Sequence, residues 1–152
     1  MTELDRLAAE REIRILKARY CRFVDTKQWD LFTALFTEDA TLFFPESQTE
    51  PCGIADAMGF ITGVLSAGVT SIHHVHAPEI ELVAPDRARG IWAMEDRLYW
   101  PTEGATVLGL ASMIGYGHYH EDYVRIDTGW KFQNLRLTRL RLEKYAPPVS
   151  VA

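Results

Sequence analysis

The sequence predicts an α+β fold: a cone-shaped, curved sheet, mixed or antiparallel, wrapped around three N-terminal helices. Three observations carry this expectation. Apolar residues recur at three- and four-residue steps through the first third of the chain. From Thr70 onward the pattern changes to period two, and turn residues divide that second part into long strands.

The elements follow in chain order. Thr2 with Glu3 and Asp5 suits a helix N-terminus, where a hydroxyl and acidic side chains meet unpaired N–H groups. Leu4, Leu7, Ile13, Leu16, Tyr20, Phe23 and Val24 form the apolar series of the first helix, which should end near Asp25 and Thr26. Trp29, Leu31, Phe32, Leu35 and Phe36 read as the buried side of a second helix. "TEDATLFF" turns into a strand closed by Pro45, and a third helix is expected from Ile54 to Leu65. Four strands follow: "TSIHHVH", "RARGIWAMEDRLYW", "ATVLGLASMIGYGHYHEDYVR" and "GWKFQNLRLTRLRLEKY". The turns between them fall at 84–86, 101–104 and 127–129. A sheet curled around helices leaves an apolar pocket between the layers, a natural ligand site.

The 152 residues are expected to form one domain spanning 1–152, with 47% hydrophobic and 24% charged residues. A net charge of −5 argues against a general nucleic-acid binder. The late basic residues Lys131, Arg136, Arg139, Arg141 and Lys144 read as a solvated strand face. The apolar runs fall far short of a membrane span. The opening "MTELDRLAAERE" is acidic and amphipathic, unlike a signal peptide, and Cys21 and Cys52 have no metal-type spacing; a reduced, cytoplasmic setting is expected.

Two carboxylates stand out. In the strand from Ala88 to Trp100 the even positions are apolar, and Asp96 interrupts them. A carboxylate on a buried face must be paired, hydrogen-bonded or protonated. Asp25 lies at a helix C-terminus, where the dipole disfavours an anion, so it needs a compensating cation or donor; an imidazole would serve. The ordinary alternatives are a hydrogen-bonded core carboxylate and a solvated turn residue.

The five histidines fall in two short segments, "HHVH" and "HYH". Alternation puts His74 and His76 on one strand face and His73 on the other, so the three cannot share one site. His118 shares a face with Leu108, Leu110, Ser112, Ile114 and Tyr116 and is expected at the far end of the pocket. Trp92, Tyr116 and the other aromatics suit a flat ring-bearing ligand, and equally an ordinary core. His74-Val75-His76 followed by Glu81 resembles the first cupin motif. The glycine expected after the glutamate is Ala88, no second motif follows, and three helices precede it, so no metal is expected.

The segments "ARYCRFVDTKQWDLFTALFTEDATL", "IHH" and "GWKFQNLRLTRLR" together resemble the SnoaL-like branch of the nuclear-transport-factor-2-like superfamily, over nearly the whole chain. Within it the likeness is to the hexachlorocyclohexane dehydrochlorinase, bile-acid 7α-dehydratase and scytalone dehydratase group. The resemblance implies a cofactor-free eliminase in which an aspartate closing the first helix, here Asp25, orients a histidine base, here His73. It also implies Tyr20 and Asp96 as further catalytic groups, and an arginine on the last strand. That position falls at Leu135, or with a one-residue adjustment at Arg136. The reading is a lyase of the dehydratase type acting on a small, cyclic, hydrophobic molecule such as a steroid, polyketide or aromatic intermediate. Alternatives are a ketosteroid-isomerase-like proton shuttle and a non-catalytic binding module of the same fold. The resemblance further implies a homo-oligomer, trimer or dimer.

Overall fold

The computed structural model describes residues 1–66, 68–101 and 109–147. Three helices come first: α1 (Glu3–Asp25), α2 (Trp29–Thr33) and α3 (Ile54–Val64). The strands are β1 (Phe36–Phe43), β2 (Cys52–Gly53), β3 (Thr70–Ala84), β4 (Arg87–Tyr99), β5 (Ser112–Ile126) and β6 (Gly129–Tyr145). They form one open mixed sheet in the order β2-β1-β6-β5-β4-β3. Only β1 against β6 is parallel; the remaining pairs are antiparallel. This is the α+β cone expected from the two periodicities. The expected turn at 101–104, after its first residue, and the expected strand start at 105–108 lie outside the described residues.

α1 begins with a capping box. The Thr2 side chain accepts the Asp5 N–H, and the Asp5 carboxylate takes the Thr2 N–H at 2.7 Å. Its buried stripe is Ala9, Ile13, Leu16, Lys17, Tyr20, Phe23 and Val24. Leu4 and Leu7, expected in that stripe, are 75% and 55% exposed, because the buried stripe of the helix begins only at Ala9. Leu31 is also exposed, since α2 is a single five-residue turn that buries Phe32 alone. The chain then enters β1 at Phe36 rather than continuing as helix.

β6 departs from strict alternation twice. The pairing moves from Tyr123↔Phe132 to Asp122↔Asn134, which leaves Gln133 as an extra residue. It moves again from Gly117↔Arg139 to Tyr116↔Arg141, which leaves Leu140 extra and 76% exposed. Each bulge reverses which parity faces inward. Trp130 and Phe132 therefore point to the core, then Leu135, Leu137 and Arg139. The Gly117 backbone closes on the second bulge, where a Cβ would meet the Thr138 carbonyl oxygen at 1.9 Å. Among the described residues no helix is long and apolar enough to cross a membrane.

Candidate functional site

The antiparallel register builds the site. His73 stands opposite Asp96, and Asp96 opposite Gly115, in one row across the inner face of β3, β4 and β5. Asp25 reaches this row from the last turn of α1. That turn closes as a Schellman motif: the Gln28 N–H donates to the Phe23 carbonyl at 2.9 Å and the Lys27 N–H to the Val24 carbonyl at 3.3 Å. Lys27 takes the left-handed conformation, φ 58°, that this ending requires. Its ammonium donates to Ser71 Oγ at 2.6 Å; burial pulls that ammonium down, and the charge of Asp25 opposes the shift.

Asp25 Oδ1 lies 2.6 Å from His73 Nδ1, and Oδ2 accepts the His73 backbone N–H at 2.8 Å. One carboxylate thus fixes both the ring and the strand that carries it, and finds the donors its place on the helix requires. A proton on Nδ1 in that contact leaves Nε2 free as an acceptor. The His73 side chain is 9% exposed and lines a cavity of about 220 Å³ between helices and sheet. Val24, Phe32, Phe60, Ile61, Leu98 and Met113 give the cavity its apolar walls.

Tyr20 and Asp96 line the same cavity. Burial pushes the Tyr20 phenol well above the usual tyrosine value, and the Glu121 carboxylate adds to this. Asp96 accepts from Arg139 through both oxygens, Oδ1 from Nη1 at 2.9 Å and Oδ2 from Nη2 at 2.8 Å. Arg139 Nε donates to Glu46, on the turn after β1. Burial alone would lower the guanidinium, but its bonds to Asp96 and the two carboxylate charges raise it. The ion pair occupies the space above Gly115, where a Cβ would lie 2.3 Å from both Arg139 Nη1 and Asp96 Oδ1.

The arginine of the last strand that faces the cavity is thus Arg139, not Arg136. Arg136 lies between the same two bulges but on the opposite parity, facing outward; it is exposed, with its guanidinium 5.7 Å from the Phe43 ring. Arg139 and Lys144, read as part of a solvated face, both line the cavity. The expected face of β5 is also reversed. Met113, Gly115, Gly117 and Tyr119 point inward, so Tyr116 and His118 stand on the outer face. Two glycines disguised the inner face as an empty one. Trp92 does face inward, but below the cavity, where its Nε1 donates to the Tyr123 hydroxyl at 2.8 Å. His74 and His76 are exposed on the outer face, with His74 Nδ1 3.2 Å from Glu95. Among the described residues no group of three His, Cys, Asp or Glu side chains is placed to hold a metal ion.

Arg139, Glu46 and Tyr119 joined the site without being expected. A buried pair beneath it, Lys17 and Glu121, was equally unforeseen. Lys17 did carry a signal: it lies three residues before Tyr20 on the apolar stripe of α1, a misfit of the same kind as Asp96.

Comparison with known proteins agrees with this architecture. Residues 5–136 match the SnoaL-like domain. The probable cyclase FGR4 of Gibberella zeae is 30% identical over 134 residues, covering 82% of this chain and 86% of that protein. A putative scytalone dehydratase from Novosphingobium aromaticivorans superposes with a TM-score of 0.81 at 21% identity, over 99% of both chains. The hexachlorocyclohexane dehydrochlorinase LinA-type3 from Novosphingobium barchaimii gives 0.77 at 24% identity, again over 99% of both. These structural likenesses establish the cone; the sequence match goes further. The chain belongs to the SnoaL-like domain family of the nuclear-transport-factor-2-like superfamily.

Proposed function

We propose that the chain is a cofactor-independent lyase that removes water from a small cyclic β-hydroxy ketone, with His73 as the base. The observation that carries this reading is the 2.6 Å contact between His73 Nδ1 and Asp25, made by an imidazole that lines an otherwise largely apolar cavity. His73 Nε2 takes the proton from the carbon beside the carbonyl. The C–H electron pair becomes the new C=C bond of an enolate, whose oxygen accepts a hydrogen bond from Tyr20. The carbonyl re-forms, the enolate C=C pair moves to make the bond between the α and β carbons as the β C–O bond breaks, and the departing oxygen leaves with the C–O pair and takes the proton from His73 as water. The base is restored and no cofactor is consumed.

Asp25 stabilises the imidazolium between the two proton transfers. Tyr20, with its proton held by burial, serves as a hydrogen-bond donor rather than as an acid. Asp96 spends both oxygens on Arg139, so its part is to hold the guanidinium on the cavity wall. An apolar protein cavity of ~150 Å³ holds a benzene-sized guest. A cavity of about 220 Å³ suits a one- or two-ring substrate better than a four-ring steroid.

The description of the 30%-identical relative as a probable cyclase supports a second reading, in which the same enolate attacks within the molecule and closes a ring. Product mass separates the two, because ring closure alone loses no water. The test is a panel of one- and two-ring β-hydroxy ketones, chosen with any ligand found by native mass spectrometry of the purified protein. Enone absorbance reports turnover. His73→Ala should lower it by ~10²–10⁴-fold, the usual contribution of a positioned proton-transfer group. Undiminished turnover in that variant excludes His73 as the base.

A further inference from the structure

Beneath the cavity lies a polar array that this chemistry does not use. The Lys17 side chain is 0% exposed, and its ammonium bonds Glu121 Oε1 at 2.5 Å. It sits 3.5 Å from the ring centroid of Tyr119 and 4.0 Å from that of Tyr20. Both tyrosines line the cavity, and Lys17 is absent from its lining. The other oxygen of Glu121 takes the Tyr123 hydroxyl, which in turn accepts from Trp92 Nε1. Room for this array is reserved at Gly90, where a Cβ would meet Tyr123 Cε2 at 2.9 Å and Trp92 Nε1 at 3.2 Å.

Stability alone does not account for such an arrangement. Replacing a buried ion pair by apolar groups of similar volume is often neutral or stabilising. What a hydrocarbon cannot supply at this place is positive charge against two aromatic faces. The quadrupole of a phenol ring attracts a cation over its face, so an ammonium held by Glu121 fixes the tilt of both rings.

We infer that Lys17 is a positioning residue: anchored by Glu121, it sets Tyr20 and Tyr119 as a pair of phenol donors to one ligand oxygen, the oxygen on which negative charge gathers when His73 removes a proton. The ligand class is a cyclic ketone able to form an enolate. This rests on the reading of the cavity as a proton-abstraction site.

The probe is 2-naphthol, a two-ring phenol whose anion imitates an enolate and whose neutral and ionised forms differ in absorbance and fluorescence. Wild-type protein should bind it and shift it toward naphtholate. Lys17→Met/Glu121→Gln removes both charges at once and leaves no lone buried ion. It should still bind naphthol, but with the ratio of bound naphtholate to naphthol lowered at least tenfold. Lys17→Gln/Glu121→Gln, which keeps polar groups at both positions, should behave alike and serves if the first pair fails to fold. A folded charge-free variant that ionises naphthol as the wild type does overturns the role of Lys17. Tyr20→Phe/Tyr119→Phe separates the two levels. If it too leaves the bound ionisation unchanged, or if the wild type binds no naphtholate, the phenols do not hold the ligand oxygen and the site reading fails with the inference.

Discussion

Gly115→Ala isolates the packing at the centre of the site. An added Cβ would lie 2.3 Å from Arg139 Nη1, 2.3 Å from Asp96 Oδ1 and 2.8 Å from Arg139 Cζ. Ordinary contact begins near 3.4 Å, so the guanidinium and the carboxylate must each retreat by about 1 Å. Neither is free to do so. Arg139 is tied to Asp96 and Glu46, and the two side chains of the Asp96 pair are 13% and 6% exposed. A retreat of that size stretches bonds of 2.8 and 2.9 Å out of range. Overpacking a core costs ~1–3 kcal/mol and breaking a buried ion pair ~3–5 kcal/mol. Gly115→Ala leaves both partners present, so the pair is displaced rather than orphaned and the expected loss lies where the two ranges meet, at about 2–4 kcal/mol. At ~2–4 °C per kcal/mol for a chain of this size, Tm falls by roughly 5–15 °C. Guanidinium chloride unfolding and a thermal scan by circular dichroism both measure it. Gly59→Ala is the control of opposite sign: in α3 a Cβ there meets nothing within 4 Å, so relief of backbone entropy should add ~0.5–1 kcal/mol. A Gly115→Ala protein within ~0.5 kcal/mol of wild type, the usual scatter of surface changes, would refute the claim that the ion pair occupies the missing side chain's place.

Three further outcomes follow from burial and exposure. Burial pushes the Cys21 thiol up to about 11, against an ordinary 9.0. Native protein should therefore alkylate slowly at Cys21 at pH 8, and the rate should climb about tenfold per pH unit toward 11; peptide mapping that finds it labelled as fast as a free thiol contradicts this. The same shift has a stability sign. The folded state holds the proton more tightly, so the contribution is whole below pH 9 and is lost as pH rises through about 11. Leu140, the 76%-exposed bulge residue, should accept Leu140→Lys within ~0.5 kcal/mol of wild type; a larger loss in chemical unfolding would mean that this side chain is covered.

Periodicity made much of the fold legible. α1 was bounded by its caps, α3 ended within a residue of expectation, and β6 was read from Gly129 to Tyr145. β2 has only two residues and carries no pattern. Asp96 was visible because a carboxylate broke an apolar parity, and Asp25 because a helix C-terminus repels it. His73 stood out only by resemblance. Arg139 was hidden for a geometric reason. Alternation counted from Trp130 predicts Arg136 inside and Arg139 outside, and the extra residue Gln133 inverts both. A bulge depends on what each strand meets across the ladder, which lies outside the local sequence window.

The same limit explains why β5 was read inside out. Its inner row is Met113, Gly115, Gly117, Tyr119, Glu121 and Tyr123, two of them glycines, while its outer row carries isoleucine, tyrosine and histidine. By hydropathy alone the outer row is the better core face. The inner row is sparse because neighbouring strands fill it: Asp96 and Arg139 over Gly115, and the β6 bulge against Gly117. Gly90 on β4 plays the equivalent part for Tyr123 and Trp92. Glycine facing a core forfeits packing area and chain entropy, so each such position has to be repaid by what enters the gap. At Gly115 and Gly90 the entrant is a polar cluster, and each cluster touches a side chain that lines the cavity or bonds to one that sits against it. A fold selected for burial alone would fill those gaps with methyl groups. That these are kept open for charge and hydroxyl groups is a physical argument in favour of the proton transfer proposed for the cavity.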